Sequence, residues 1–179
     1  MVLKQQSMRT DKIKPIEKGL INVVIETPKE SQNKFDYDME LGAFRLKKTL
    51  PMGTMFPFDF GFIPNTKAED GDPVDVLVLM DQHAFPGCVV QCRLLGVLKA
   101  MQTEDDGKKE RNDRLVAVAN CSVLYADLKE VEDINKHMAQ EIENFFIDYN
   151  KHGGRKFEPI KWAKPSKAMK LIKKHMKNQ

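Results

Sequence analysis

The chain has 179 residues, 41% hydrophobic and 31% charged, enough apolar material for one compact domain with a sizeable core. The opening MVLKQQSMRTDKIK lacks the apolar stretch of a secretory signal, and no apolar run approaches the roughly 20 residues that span a bilayer, so a cytoplasmic protein is expected. The net charge of +3 resides in the tail, where residues 161–179 carry seven lysines and no acid.

In chain order, short β-like runs fall at 22–26, 35–38, 43–46, 74–80, 88–97 and 115–119. Turn residues Pro28, Gly53, Pro64, Asn65, Gly71 and Gly87 separate them, as a barrel of short strands requires. The alternation of Phe56, Phe58, Phe60 and Phe62 suits a packed strand. A long helix is expected at about 130–149, where Val131, Ile134, Met138, Ile142, Phe145 and Tyr149 recur at three- and four-residue steps, with Asp127 and Glu130 capping its start. A basic terminal helix at about 165–177 follows Pro165, with Ala168, Leu171, Ile172, His175 and Met176 on one face. The fold class is mainly β, or α+β, with helices packed on the sheet, and neither repeats nor linkers divide residues 1–179 into more than one domain.

Cys88, Cys92 and Cys121 are odd in number and form no CxxC pair, which agrees with a reducing compartment. The histidines His83, His137, His152 and His175 are scattered, which argues against a zinc enzyme.

The stretch DGDPVDVLVL, residues 70–79, concentrates the chemistry. Asp-Gly and Asp-Pro are common turn punctuation, but Asp75 lies past the turn, inside a run that reads as a strand buried on both faces. Converging carboxylates repel by roughly 4 kcal/mol at about 4 Å and an effective dielectric of ~20, so Asp70, Asp72 and Asp75 require cations or lysines nearby. Hard oxygen donors without His or Cys point to Mg²⁺, Mn²⁺ or Ca²⁺, and the spacing fails the EF-hand pattern.

DGDPVDVLV is preceded by VVIETP, Lys34 and MFPFDFGFIPNT, and followed by CRLLGVL, RLVAVA and a helix ending NFFIDYN. This order of motifs, over roughly Val23 to Trp162, resembles the soluble family I inorganic pyrophosphatases. The resemblance implies a small OB-like five-stranded β-barrel with packed helices, a homo-oligomer (a hexamer in bacterial members), and Mg²⁺-dependent hydrolysis of pyrophosphate to two phosphates, with Mn²⁺ as a substitute. It further implies that Asp70 and Asp75 ligate metal directly and that Asp72 is the general base or its orienting acceptor. Glu26 would hold a further metal mainly through water. Lys34, Lys48, Arg114 and Tyr149 would hold phosphate oxygens. Glu104 would complete the metal set, with Asp105 and Asp106 as close competitors.

The sequence also departs from the family pattern. Phe56 and Phe60 stand where tyrosines are common, Asp36 replaces a Glu, Lys48 an Arg and Asn150 a Lys. Aligning on Arg114-Leu115-Val116 puts Asn112 at the position of a metal-binding Asp, with Asp113 one residue late, so Asp113 serves as the replacement ligand only if a loop or bulge re-aims it.

Two further readings stand beside pyrophosphate hydrolysis. One is a metal-dependent hydrolase of another phosphoanhydride, since the pocket wall has lost hydroxyls. The other, of a different class, is an OB-like protein that binds nucleic acid through its basic tail; it lacks aromatics interleaved with basic residues.

Overall fold

The computed structural model describes residues 9–69 and 71–176. Ten strands and two α-helices follow in the order β1 (Ile16–Glu17), β2 (Leu20–Thr27), β3 (Asn33–Asp38), β4 (Ala43–Thr49), β5 (Asp59–Ile63), β6 (Val74–Leu79), β7 (Val89–Thr103), β8 (Lys109–Arg111), β9 (Arg114–Ala119), α1 (Lys136–Lys151), β10 (Lys156–Ala163) and α2 (Pro165–His175). Hydrogen-bonded neighbours run β2-β5-β6-β9-β7, and β7 pairs back onto β2, so five strands form a closed, strongly curled OB-like sheet. The 15-residue β7 makes closure possible: its first part pairs with β2, its middle with β9 and its end with β8 and β10. Its register shifts between Leu94 and Gly96, and a Cβ on Gly96 (φ +154°) would lie 2.3 Å from Ala163 O, so only glycine fits this bend.

Strand alternation sorts the apolar residues into two cores. Val74, Val76 and Val78 of β6 join Ile21, Val23 and Ile25 of β2, Leu115 and Ala117 of β9, and Ala168 and Ile172 of α2. The opposite face, with Leu77, Leu79, Val116 and Val118, packs on Ile142 and Phe146 of α1 together with Phe56, Phe58 and Phe60. Asp75 and Arg114 continue this second face outward by the two-residue period, which carries them beyond the core toward the β3–β4 hairpin.

The expected runs all correspond to strands, and the Phe56–Phe62 alternation is a buried wall that ends in β5. The long helix differs at its start. Ile134 is extended (φ −68°, ψ 129°), so the residues before it form only a short 3₁₀ turn, Val131–Asp133. The α-helix begins at Lys136 with Asn135 as its cap, the Asn135 side chain accepting from His137 N at 2.8 Å. Glu130 instead closes a reciprocal capping box with Asp133 around the 3₁₀ turn, and Asp127 caps neither helix. The basic helix ends at His175, with Ala168 and Ile172 buried and its lysines outward; residue 177 lies outside the described residues. Among the described residues no helix is long and apolar enough to cross a membrane.

Candidate active site

A cleft of about 1060 Å³ opens between the β3–β4 hairpin, the outer ends of β2, β6 and β9, and the end of α1. Glu26 stands in it because β2 bulges against β5: Ile25 pairs with Gly61 and Thr27 with Phe60, leaving Glu26 as the extra residue. Asp75 and Arg114 reach it side by side, since the parallel β6–β9 register pairs Val76 with Leu115. Lys34 and Lys48 face each other across the β3–β4 hairpin. Tyr149 comes from the last turn of α1, with the Lys48 Nζ 3.7 Å above its ring.

Charges of both signs interleave here. The buried Lys34 Nζ lies 3.2 Å from Glu26 Oε2 and 2.5 Å from Asp36 Oδ1, while Lys47 Nζ lies 2.5 Å from Asp36 Oδ2. Burial pushes the Glu26 carboxyl up to about 6, against the pull of Lys34 and of Tyr37 N–H, which donates to Glu26 Oε1 at 2.8 Å. Burial also disfavours the Lys34 ammonium, but Glu26 and Asp36 outweigh it and hold its pKa above the usual lysine value. Asp36 is held below the carboxylate range because Lys34 and Lys47 outweigh its burial. Lys48 is lowered, first by burial and then by the charges of Arg155, Lys34 and Lys47. Burial raises the Tyr149 phenol, which keeps its hydroxyl a proton donor at neutral pH.

Arg114 Nη1 pairs with Asp75 Oδ2, and its guanidinium sits over the faces of Phe146 and Phe60, 5.4 and 5.9 Å from the centroids. Its buried Nε has no hydrogen-bond partner among the described residues, a polar atom left aimed without an acceptor.

Seven of the site residues expected from sequence, Glu26, Lys34, Lys48, Asp72, Asp75, Arg114 and Tyr149, line this one cleft. Asp70 lies outside the described residues. Glu104 and Asp113 are not on its wall. Glu104 Oε2 lies 2.9 Å from Arg155 Nε and its other oxygen accepts from Gln102 Nε2. Asp113 Oδ1 accepts from Arg111 Nε at 2.7 Å and from Ala100 N at 3.1 Å, its side chain only 8% exposed. Asn112 donates to Gln102 Oε1 at 2.9 Å. Lys47 and Arg155, absent from the expected set, also line the cleft. Arg155 carried no local signal, because only the turn after α1 brings it there.

Among the described residues no three His, Cys, Asp or Glu side chains gather closely enough to hold a metal ion. The acids on the Asp72–Asp75 side of the cleft, Glu26 among them, are hard oxygen donors of the kind a divalent cation takes. Glu104 and Asp113 are instead paired with Arg155 and Arg111.

A curled β-sheet with interleaved acids and bases in one open cleft defines a protein that grips a small polyanion. The sequence model described as "Inorganic pyrophosphatase" matches residues 23–179. The inorganic pyrophosphatase of Halalkalibacterium halodurans is 39% identical over 157 residues, 88% of this chain and 93% of that protein. That of Synechocystis sp. is 36% identical over 160 residues, 89% of this chain and 92% of its own length. The crystal structure of inorganic pyrophosphatase from Thermus thermophilus superposes with a TM-score of 0.84 at 30% identity, covering 96% of this chain and 97% of that one. The chain belongs to the inorganic pyrophosphatase family.

Proposed function

We propose that the protein hydrolyses inorganic pyrophosphate to two phosphates with Mg²⁺, or Mn²⁺ in its place, at the cleft between β6, β9 and the β3–β4 hairpin. Family membership together with one observation carries this reading: Lys34, Lys48, Arg114 and Tyr149 line a single cleft together with Glu26, Asp72 and Asp75. The substrate's negative charge requires the first group, and divalent cations require the second.

Asp70 and Asp75 would hold the cation directly and Glu26 through water. When bound, it neutralises phosphoryl charge and lowers the cost of deprotonating water. Asp72 takes the proton of the attacking water as the new O–P bond forms and the bridging P–O bond breaks. Arg114 and Lys34 neutralise the departing phosphate, and the Tyr149 hydroxyl and Lys48 orient the other. The proposed metal set leaves out Glu104 and Asp113, because neither lines this cleft.

The nucleic-acid reading loses support from the burial of Phe56, Phe58, Phe60 and Phe62, which leaves no exposed stacking platform on that segment. A cytoplasmic location agrees with three free cysteines. Homo-oligomer formation agrees with the exposure of Phe85, Val123 and Leu124, which another copy would cover.

The test is phosphate release from pyrophosphate, tripolyphosphate and nucleoside triphosphates with Mg²⁺. Release from pyrophosphate, nearly abolished in Asp72→Asn, is expected. No turnover above background rejects the enzyme, and preference for another substrate moves the specificity to a different phosphoanhydride.

A further inference from the structure

The turn that follows α1 places a guanidinium on the rim of the cleft. Arg155 N donates to Asn150 O at 3.0 Å, and Gly154 takes φ +78° where a Cβ would lie 2.8 Å from Asp105 Oδ1. Asp105, on the exposed tip of the β7–β8 hairpin, therefore reaches this turn. Glu104 fixes the contact: Oε2 holds Arg155 Nε at 2.9 Å, while Oε1 is taken by the buried Gln102, itself held by Asn112 at 2.9 Å. A chain of polar groups thus runs from Asn112, between β8 and β9, through Gln102 and Glu104 to Arg155.

Arg155 is about half exposed, with Glu104 its only ion-pair partner among the described residues. A guanidinium has five N–H donors in a planar fork, so engagement at Nε leaves the Nη edge for a second oxyanion. The Lys48 ammonium lies 3.8 Å from where a Gly153 Cβ would stand, which puts both cations on the same rim. Asn150 adds no charge there, since it is buried and its amide donates to Phe146 O at 2.8 Å.

We propose that Arg155, steered by Glu104, binds a terminal phosphate of the substrate beside Lys48, and that Glu104 is its positioning residue and not a metal ligand. This rests on the pyrophosphate reading above. It gives the chain a fixed cation on the side where its acids are already neutralised.

The test compares Arg155→Gln, Arg155→Lys and Glu104→Gln with wild type. The readouts are calorimetric binding of the non-hydrolysable analogue imidodiphosphate with Mg²⁺, KM and kcat for pyrophosphate, and the number of Mn²⁺ ions bound by electron paramagnetic resonance. Arg155→Gln is expected to weaken analogue binding and raise KM about tenfold, with a much smaller change in kcat. Arg155→Lys recovers part of the loss, Glu104→Gln falls between, and Mn²⁺ stoichiometry is unchanged in all three. Unaltered analogue affinity and KM in both Arg155 variants, with wild type hydrolysing pyrophosphate, overturns the role of Arg155 alone. Loss of a bound Mn²⁺ in Glu104→Gln overturns the role of Glu104, and absence of hydrolysis by wild type overturns the reading beneath both.

Discussion

Asp75 and Arg114 are neighbours because β6 and β9 are parallel, and the register that pairs Val76 with Leu115 sets the two residues before them abreast at the mouth of the cleft. On the proposed function, Asp75 would take a divalent cation and Arg114 a phosphate, so substrate and metal binding would have to break this pair. Arg114 is 9% and Asp75 27% exposed, so solvent screens the pair only in part.

Arg114→Met tests this competition. Loss of the guanidinium removes one ion-pair partner of Asp75 and is expected to cost about 2 kcal/mol of stability, discounted because Asp75 is partly exposed. With the competing cation gone, Asp75 should bind Mn²⁺ more tightly, while imidodiphosphate affinity falls at least about tenfold. Urea unfolding and the two titrations measure these opposite effects. Metal and analogue affinities that move together would exclude the exchange of partners.

Glu26 gives the metal-free protein a pH signature. Its carboxyl is raised from 4.5 to about 6 in the folded state, chiefly by burial, so the native protein holds the proton more tightly than the unfolded chain. The resulting stabilisation is complete below about pH 4.5 and is lost as pH rises through about 6, amounting to roughly 2 kcal/mol at 1.36 kcal/mol per unit. Glu26→Gln removes this slope. Denaturant midpoints in chelator at pH 4.5 and 7.5 should therefore shift in the variant's favour at the higher pH, and a constant offset between the two proteins would refute it.

β2, β6 and β9 were legible in sequence because each is a largely apolar run, rich in valine or isoleucine, buried along nearly its whole length. β10 was not. It is an edge strand reading KFEPIKWA, where Lys, Glu and Pro interrupt the alternation and only pairing with β7 makes it a strand. At the site, the gathering of Asp72, Asp75, Lys34 and Arg114 in one cleft was legible from the ordered motifs around them. The pairing of Asp113 with Arg111 and of Glu104 with Arg155 was not, since spacing alone does not encode such contacts. Whether an acid meets a metal or an arginine is decided by tertiary packing.

The start of α1 separates local signal from tertiary structure by a simple pair of substitutions. Asn135→Ala removes the acceptor of His137 N and is expected to cost about 1 kcal/mol, whereas Asp127→Ala, which caps nothing, should fall within about 0.5 kcal/mol of wild type. Thermal or urea unfolding measures both. The reverse order would mean that the helix begins near 130 in solution.

Lys48 offers the most direct route to a better enzyme. Its Nζ sits 3.7 Å above the Tyr149 ring, with its pKa lowered by burial and by Arg155, Lys34 and Lys47, so it enters the cleft as a partly desolvated point charge without a fork geometry. Lys48→Arg keeps the cation over the ring and adds a planar edge able to meet two phosphate oxygens at once. KM for pyrophosphate should fall about threefold or more, with tighter imidodiphosphate binding to match. Crowding by the neighbouring cations Arg155, Lys34 and Lys47 works against this gain. The salt dependence of KM decides which term wins. If repulsion dominates, KM rises and the penalty shrinks with added salt, whereas a gain from bidentate contact remains when exposed charges are screened.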